Sequence, residues 1–133
     1  MPPTLHLSLP VRDLASSKNF YVGVLGCGLG RERDRFIDVW FYGMQVTLHE
    51  RPAQLLSPEE RGVRHFGVTL TPAELHSLLD RLASHPIEWL DEVTTEYAGT
   101  PREQTKAKLL DPSGNVIELK TYIDPAAALE HPI

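Results

Sequence analysis

Apolar and polar residues alternate with period two along several short stretches of the chain. Each such stretch predicts a strand with one packed face and one open face. In "TLHLSLP", Thr4 to Pro10, one face carries Leu5, Leu7 and Leu9 and the other Thr4, His6 and Ser8. In "FIDVWFY", Ile37, Val39 and Phe41 oppose Phe36, Asp38, Trp40 and Tyr42. Gly43 turns the chain into "MQVTLHE", where Met44, Val46 and Leu48 oppose Gln45, Thr47 and His49. In "HFGVTL", Phe66, Val68 and Leu70 oppose His65, Gly67 and Thr69. Near the end, "LLDPSGNVIELKTY" reads as strand, tight turn and strand, because Asp111, Pro112, Ser113 and Gly114 are turn formers between apolar runs. There Ile117 and Leu119 face one way, and Val116, Glu118 and Lys120 the other.

Two stretches have helical spacing instead. Asp13 is an N-cap candidate, and Leu14, Phe20, Tyr21, Val24 and Leu25 follow near helical intervals up to Gly26. Thr71 and Pro72 open a second helix with the stripe Leu75, Leu78, Leu79, Leu82 and Ala83, stopped by Pro86. The charge run Arg31 to Arg35 reads as a solvated strand end or turn, and Ile87 to Leu90 as a short strand. Residues 91–105 read as a polar loop long enough to be a functional flap. The tail from Asp124 is expected to be a short helix or disordered.

The order is strand, helix and three strands, then the same again. This predicts an α+β fold of two tandem βαβββ modules in a single domain, 1–133: module 1 at 4–50, module 2 at 63–123, and a proline-rich, charged linker at 51–62. Each helix packs outside on the apolar face of its mixed sheet. The sheets' other faces are expected to curl around one metal-bearing cavity.

Composition narrows the class. A chain of 133 residues with 41% hydrophobic content supports one packed core or two small intimate halves. The net charge of −5 argues against nucleic acid or an anionic membrane as partner. No apolar run approaches the roughly 20 residues that span a bilayer, and no signal-peptide pattern is present. Cys27 is the only cysteine, which excludes an intrachain disulfide. The expectation is a soluble cytoplasmic protein. The run "GCGLG" carries part of the glycine spacing of a dinucleotide fingerprint, but it follows a helix rather than a strand, and Arg31 replaces the last glycine. That reading is rejected.

The polar faces carry the candidate chemistry. His6 and His65 occupy equivalent strands 59 residues apart, and Glu118 sits mid-strand where a carboxylate needs a reason. Two histidines and one carboxylate on three strands make a facial set that holds a divalent metal and leaves positions open for substrate. His49 shares the polar parity and is the acid/base candidate, histidine being the side chain that exchanges protons near neutral pH. Tyr97, in the flap, is a catalytic candidate, and Tyr97 and Arg102 there are candidates for binding an anionic or phenolic substrate. Trp40, Thr47 and Lys120 complete the expected substrate contacts.

On "HLSLPVRDLASSKNFYVGVLG", "HFGVTL" and "LLDPSGNVIELK", the sequence resembles the vicinal oxygen chelate superfamily over about Thr4 to Tyr122. That superfamily includes glyoxalase I, extradiol dioxygenases, fosfomycin-modifying transferases and bleomycin-resistance proteins. The resemblance places the family's metal ligands on His6, His65 and Glu118. The glyoxalase branch adds a carboxylate from the fourth strand, where this chain holds Thr47 and His49. The resemblance therefore implies a three-ligand enzyme of dioxygenase, lyase, isomerase or transferase type, using Fe, Mn, Ni or Zn on a small oxygen-chelating substrate. It also implies a homodimer, with metal sites that such dimers share between chains. The alternative is a bleomycin-resistance-like protein that sequesters a small molecule without catalysis.

Overall fold

The computed structural model describes residues 2–130. They form two compact units: one runs to Arg64 and includes Asp111–Asn115, and the other comprises His65–Leu110 and the residues from Val116 onward. Each is a four-stranded mixed sheet with a helical segment on its apolar face. The architecture is α+β, and neither sheet closes into a barrel.

In the first unit the strands β1 (His6–Val11), β2 (Gly28–Glu32), β3 (Phe36–Phe41) and β4 (Met44–Glu50) lie in the order β1-β4-β3-β2. β1 pairs with β4 in parallel, and the other pairs are antiparallel. The parallel pair needs a crossover, which begins with α1 (Leu14–Lys18). Asp13 caps α1 as expected, accepting from the Ser16 amide at 2.8 Å. The single helix expected up to Gly26 instead widens into a π-helical turn over Asn19–Val24. The wider turn buries Phe20, Tyr21 and Val24 together against a core that includes Val11, Val39, Val46 and Leu48. β3 and β4 are joined by Tyr42 and Gly43, both with positive φ (48° and 83°), as a two-residue hairpin turn requires. β2 was only partly legible. Its residues Gly28–Glu32 are all exposed, so no apolar alternation marks it.

In the second unit β5 (Phe66–Leu70), β6 (Glu88–Glu96), β7 (Gln104–Leu110) and β8 (Val116–Tyr122) repeat the pattern in the order β5-β8-β7-β6. Helix α3 (Pro72–Leu82) starts in a capping box, with Thr71 accepting from the Glu74 amide and Glu74 from the Thr71 amide. It buries Leu75, Leu78 and Leu82 against β5 and β8, whose Ile117 and Leu119 are fully buried.

Two expectations, the loop at 91–105 and the place of Leu5, need correction. The loop expected at 91–105 is mostly strand, because β6 continues to Glu96 and only 97–103 turns. β6 is an edge strand whose solvated residues hide its period, and bulges at Trp89–Thr94 break it further. The linker 51–62 contains a 3-10 turn (Pro52–Gln54) and the short helix α2 (Pro58–Arg61), whose capping box is Ser57 and Glu60. Leu5, expected on the packed face of β1, precedes that strand and is 75% exposed. In the tail Asp124 caps a 3-10 turn at Pro125–Ala128, while residues 131–133 lie outside the described residues. No helix among the described residues is long and apolar enough to cross a membrane.

The turn Asp111–Asn115 is tightly held. The Asp111 carboxylate accepts from the Ser113 and Asn115 amides, from Asn115 Nδ2 and, at 2.8 Å, from the Tyr21 hydroxyl. Arg12 donates its amide to Ser113 Oγ and its guanidinium to the Pro112 carbonyl, Arg61 donates to the Gly114 carbonyl, and Asn115 donates to the Pro10 carbonyl. Burial, reinforced by the Asp111 charge, pushes the Tyr21 phenol well above its ordinary value. A phenol that stays neutral in the fold but ionises near pH 10 when unfolded stabilises the protein fully below about pH 10 and progressively less above it. Urea titrations across pH 8–11 will therefore show stability falling above about pH 10. Tyr21→Phe will lose about 1–2 kcal/mol at pH 8 and show a shallower alkaline fall.

Candidate functional site

The polar face of the second unit carries a histidine–carboxylate pair. β5 and β8 run parallel in the register Gly67↔Glu118, and His65 immediately precedes β5. His65 Nε2 lies 3.9 Å from Glu118 Oε1, beyond hydrogen-bond length. Two donors each about 2.1 Å from one ion lie at most about 4.2 Å apart, so this separation is within reach of a shared metal. Gly67 makes the approach possible, since a Cβ there would collide with the Glu118 carbonyl. Two cavities open on this face, and Glu118 lines both. One, of about 250 Å³, is flanked by His65, Gly67, Thr69 and Lys120. The other, of about 470 Å³, is flanked by Leu90, Asp91, Lys106 and Lys108. Lys120, an expected substrate contact, is therefore beside Glu118, 3.6 Å away.

His6 lies on the polar face of the first unit. Its Nδ1 is 3.2 Å from the Gln45 carbonyl and its Nε2 3.2 Å from Ser8 Oγ. A carbonyl only accepts, so Nδ1 carries the proton. Nε2 then offers its lone pair, now to the Ser8 hydroxyl, which is the tautomer a metal-ligating imidazole needs. Among the described residues no group of three or more His, Cys, Asp or Glu side chains is gathered in a metal-binding cluster.

The pairing registers show what each unit has at corresponding points. Ser8 pairs with Thr47 in the first unit as Gly67 pairs with Glu118 in the second. Thr47 thus occupies the place that Glu118 holds in the repeat. Its hydroxyl donates at 2.7 Å to Asp38, a carboxylate from β3 that is only 1% exposed. Sequence reading placed Asp38 on this face without giving it a role. The Arg31 guanidinium and the Gln45 amide also bond Asp38. Burial pushes this carboxyl up, but the bonds from Arg31 and Thr47 outweigh it and hold the group below its ordinary value. Asp38 is a neutralised structural anion, with its oxygens already engaged.

The remaining expected residues are dispersed. His49 lies on β4 with its ring 5.8 Å from that of Phe36. Trp40 is 39% exposed, and its indole lies against Gly28 and Gly30 of β2, where a Cβ at Gly30 would stand 3.2 Å from Nε1. Tyr97 and Arg102 sit in the β6–β7 turn. The Arg102 guanidinium is 5.3 Å from the Tyr97 ring centre and 3.7 Å from Glu130, and neither residue lines the two cavities around Glu118. Lys106 and Lys108 of β7 also lie on that face, opposite Lys120 and Glu118. Their i, i+2 spacing in "KAKLL", opposite "ELK" in the hairpin, was the available signal.

The chain matches the family model of the Glyoxalase/Bleomycin resistance protein/Dioxygenase superfamily over residues 4–119. No curated protein matches it. Among solved structures it is similar to a glyoxalase/bleomycin resistance protein/dioxygenase from Alicyclobacillus acidocaldarius, with 29% identity, 94% of this chain and 95% of that chain covered, and a TM-score of 0.82. The fosfomycin resistance protein FosX from Listeria monocytogenes shares the fold at 15% identity, with 91% and 93% covered and a TM-score of 0.72. A glyoxalase/bleomycin resistance protein/dioxygenase from Nocardioides does so at 22% identity, with 94% and 86% covered and a TM-score of 0.68.

The contact at Gly67 gives a direct test of how the pair is built. Gly67→Ala forces β5 away from Glu118 and will cost about 1–3 kcal/mol in urea unfolding, with Gly67→Val costing more. Little or no loss would show that the close approach is not a constraint.

Proposed function

Because the chain belongs to the glyoxalase/bleomycin resistance protein/dioxygenase superfamily, we propose that it is a divalent-metal-dependent enzyme acting on a small oxygen-chelating substrate, with dioxygenase- or lyase-type chemistry. The observation that carries this reading is the His65–Glu118 pair, separated by a span one ion can bridge. His65, Glu118 and His6 would hold the metal, and His6 already has its Nε2 lone pair set by the Gln45 carbonyl. When bound, a divalent ion supplies Lewis acidity and stabilises negative charge on two substrate oxygens.

The chain's own residues do the rest. Ser8 holds the His6 ring from the Nε2 side and yields that nitrogen when it ligates. Gly67 brings β5 against Glu118 and so sets the reach of the pair. Lys120, 3.6 Å from Glu118, balances the carboxylate's charge. His49 is the proton-transfer candidate on the first unit's polar face.

We further propose a homodimer that shares its sites, with His6 of one copy serving His65 and Glu118 of the other. The exposed indole of Trp40 favours a second reading, sequestration of a planar ligand without catalysis. Binding that survives Glu118→Ala in metal-free protein would support it.

Elemental analysis of gently purified protein will find near-stoichiometric transition metal, lost in His65→Ala and Glu118→Ala. Metal-free protein that takes up none on titration would sink the enzymatic reading. Mixing His6→Ala with His65→Ala chains will restore about one metal per mixed dimer if sites are shared. No restoration would assign all ligands to one chain.

A further inference from the structure

Lys108 of β7 and Glu118 of β8 stand directly opposite each other on the open face of the second unit. Oppositely charged residues so placed ordinarily pair across the strands. Among the described residues Lys108 makes its ion pair elsewhere, with Asp91 of β6, at 3.6 Å. Lys106, diagonal to Glu118, also turns to β6, where Glu96 lies 2.9 Å away. Of Lys106, Lys108 and Lys120, only the last comes within ion-pair distance of Glu118, at 3.6 Å.

The backbone of β6 is shaped for this. Glu88 and Trp89 pair with Leu110 and Leu109, a register that would set Leu90 opposite Lys108 if it continued. A bulge between Trp89 and Asp91 advances the strand by one residue and sets Asp91 there instead. A second irregularity follows before Thr94. Bulges of this kind re-aim a side chain. The first unit shows that a residue at this point can bond both ways. Asp38 pairs with Thr47 as Lys108 pairs with Glu118, and it bonds Arg31 of β2 and Thr47 of β4 together. In the second unit only the bond to the edge strand forms. The Glu118 side chain is 16% exposed and that of Asp91 62%, so a Lys108–Glu118 pair would be better shielded from water than the pair that forms. Loss of Asp91 therefore sends Lys108 to Glu118.

We propose that Asp91 is a positioning residue for Glu118: it holds Lys108 against β6 and so leaves the Glu118 carboxylate available to a divalent cation. Glu96 holds Lys106 in the same way. The proposal deepens the function given above and rests on that reading for the cation. A lysine lodged on Glu118 would have to be displaced before the carboxylate could ligate, which lowers affinity.

The test compares the parent protein with Asp91→Asn in two measurements. The first needs no metal. Lys108→Met and Glu118→Gln are combined as a double-mutant cycle in urea unfolding, in both backgrounds. No coupling is expected in the parent, and in Asp91→Asn a favourable coupling of about threefold in the unfolding constant, the size of a partly exposed ion pair. The second is manganese or zinc affinity by calorimetry. Asp91→Asn is expected to weaken it about threefold, and Lys108→Met to tighten it about threefold more in Asp91→Asn than in the parent. Circular dichroism confirms that each variant is folded. If Asp91 acts only through the general field of its charge, Lys108→Met has the same effect in both backgrounds. Equal effects in the two backgrounds, in either measurement, overturn the proposal. If the parent takes up no metal, the enzymatic reading falls, and the unfolding cycle alone decides whether Asp91 withholds Lys108 from Glu118.

Discussion

The Asp111 carboxylate is the constraint on which the candidate site depends. It gathers two backbone amides, the Asn115 side chain and the buried Tyr21 hydroxyl, and so holds the five-residue turn in one shape. β8 leaves that turn, and the turn fixes its register, with Leu110 opposite Val116. Side chains alternate along a strand, so a slip of one residue would send Glu118 into the core and Leu119 to the open face. The fully buried Ile117 and Leu119 oppose the same slip from the packed side. Turn chemistry and core packing therefore agree on where Glu118 points.

The two units show one plan used for two ends. Where the second unit pairs Gly67 with Glu118, the first pairs Ser8 with Thr47. Glu118 has His65 nearby and keeps access to two cavities. Thr47 instead bonds Asp38, and the Arg31 guanidinium closes that carboxylate off. A buried carboxylate so fully engaged gives order to the sheet rather than a ligand. In the first unit His6 has its tautomer set by a backbone carbonyl, and in the second Glu118 keeps a carboxylate open to solvent.

Much of this was legible in the sequence wherever one face of an element is buried. The alternation in β1, β3, β4 and β8, the cap at Asp13 and the stripe of α3 gave those elements and the parity of His6, Thr47 and Glu118. Legibility failed where burial does not set a pattern. β2 is exposed throughout, and β6 is a bulged edge strand, so neither shows alternation. The π turn was hidden because its extra residue per turn shifts the apolar spacing only locally. The Arg31–Asp38–Thr47 network was missed because Arg31 lies in a charge run that reads as solvent-facing. The stacking of Arg102 on Tyr97 also lay beyond reach, since residues in a turn carry no periodicity that says what they touch.

The proposed function stands or falls on whether His65, Glu118 and His6, the last from a second copy, hold one divalent cation, and an anomalous-difference map from crystals grown with manganese or zinc decides it. One dominant peak per chain is expected, at bonding distance from His65, a Glu118 oxygen and a His6 Nε2, with Ser8 displaced from that nitrogen. A peak elsewhere, or full occupancy with His6 still bonded to Ser8, would contradict it.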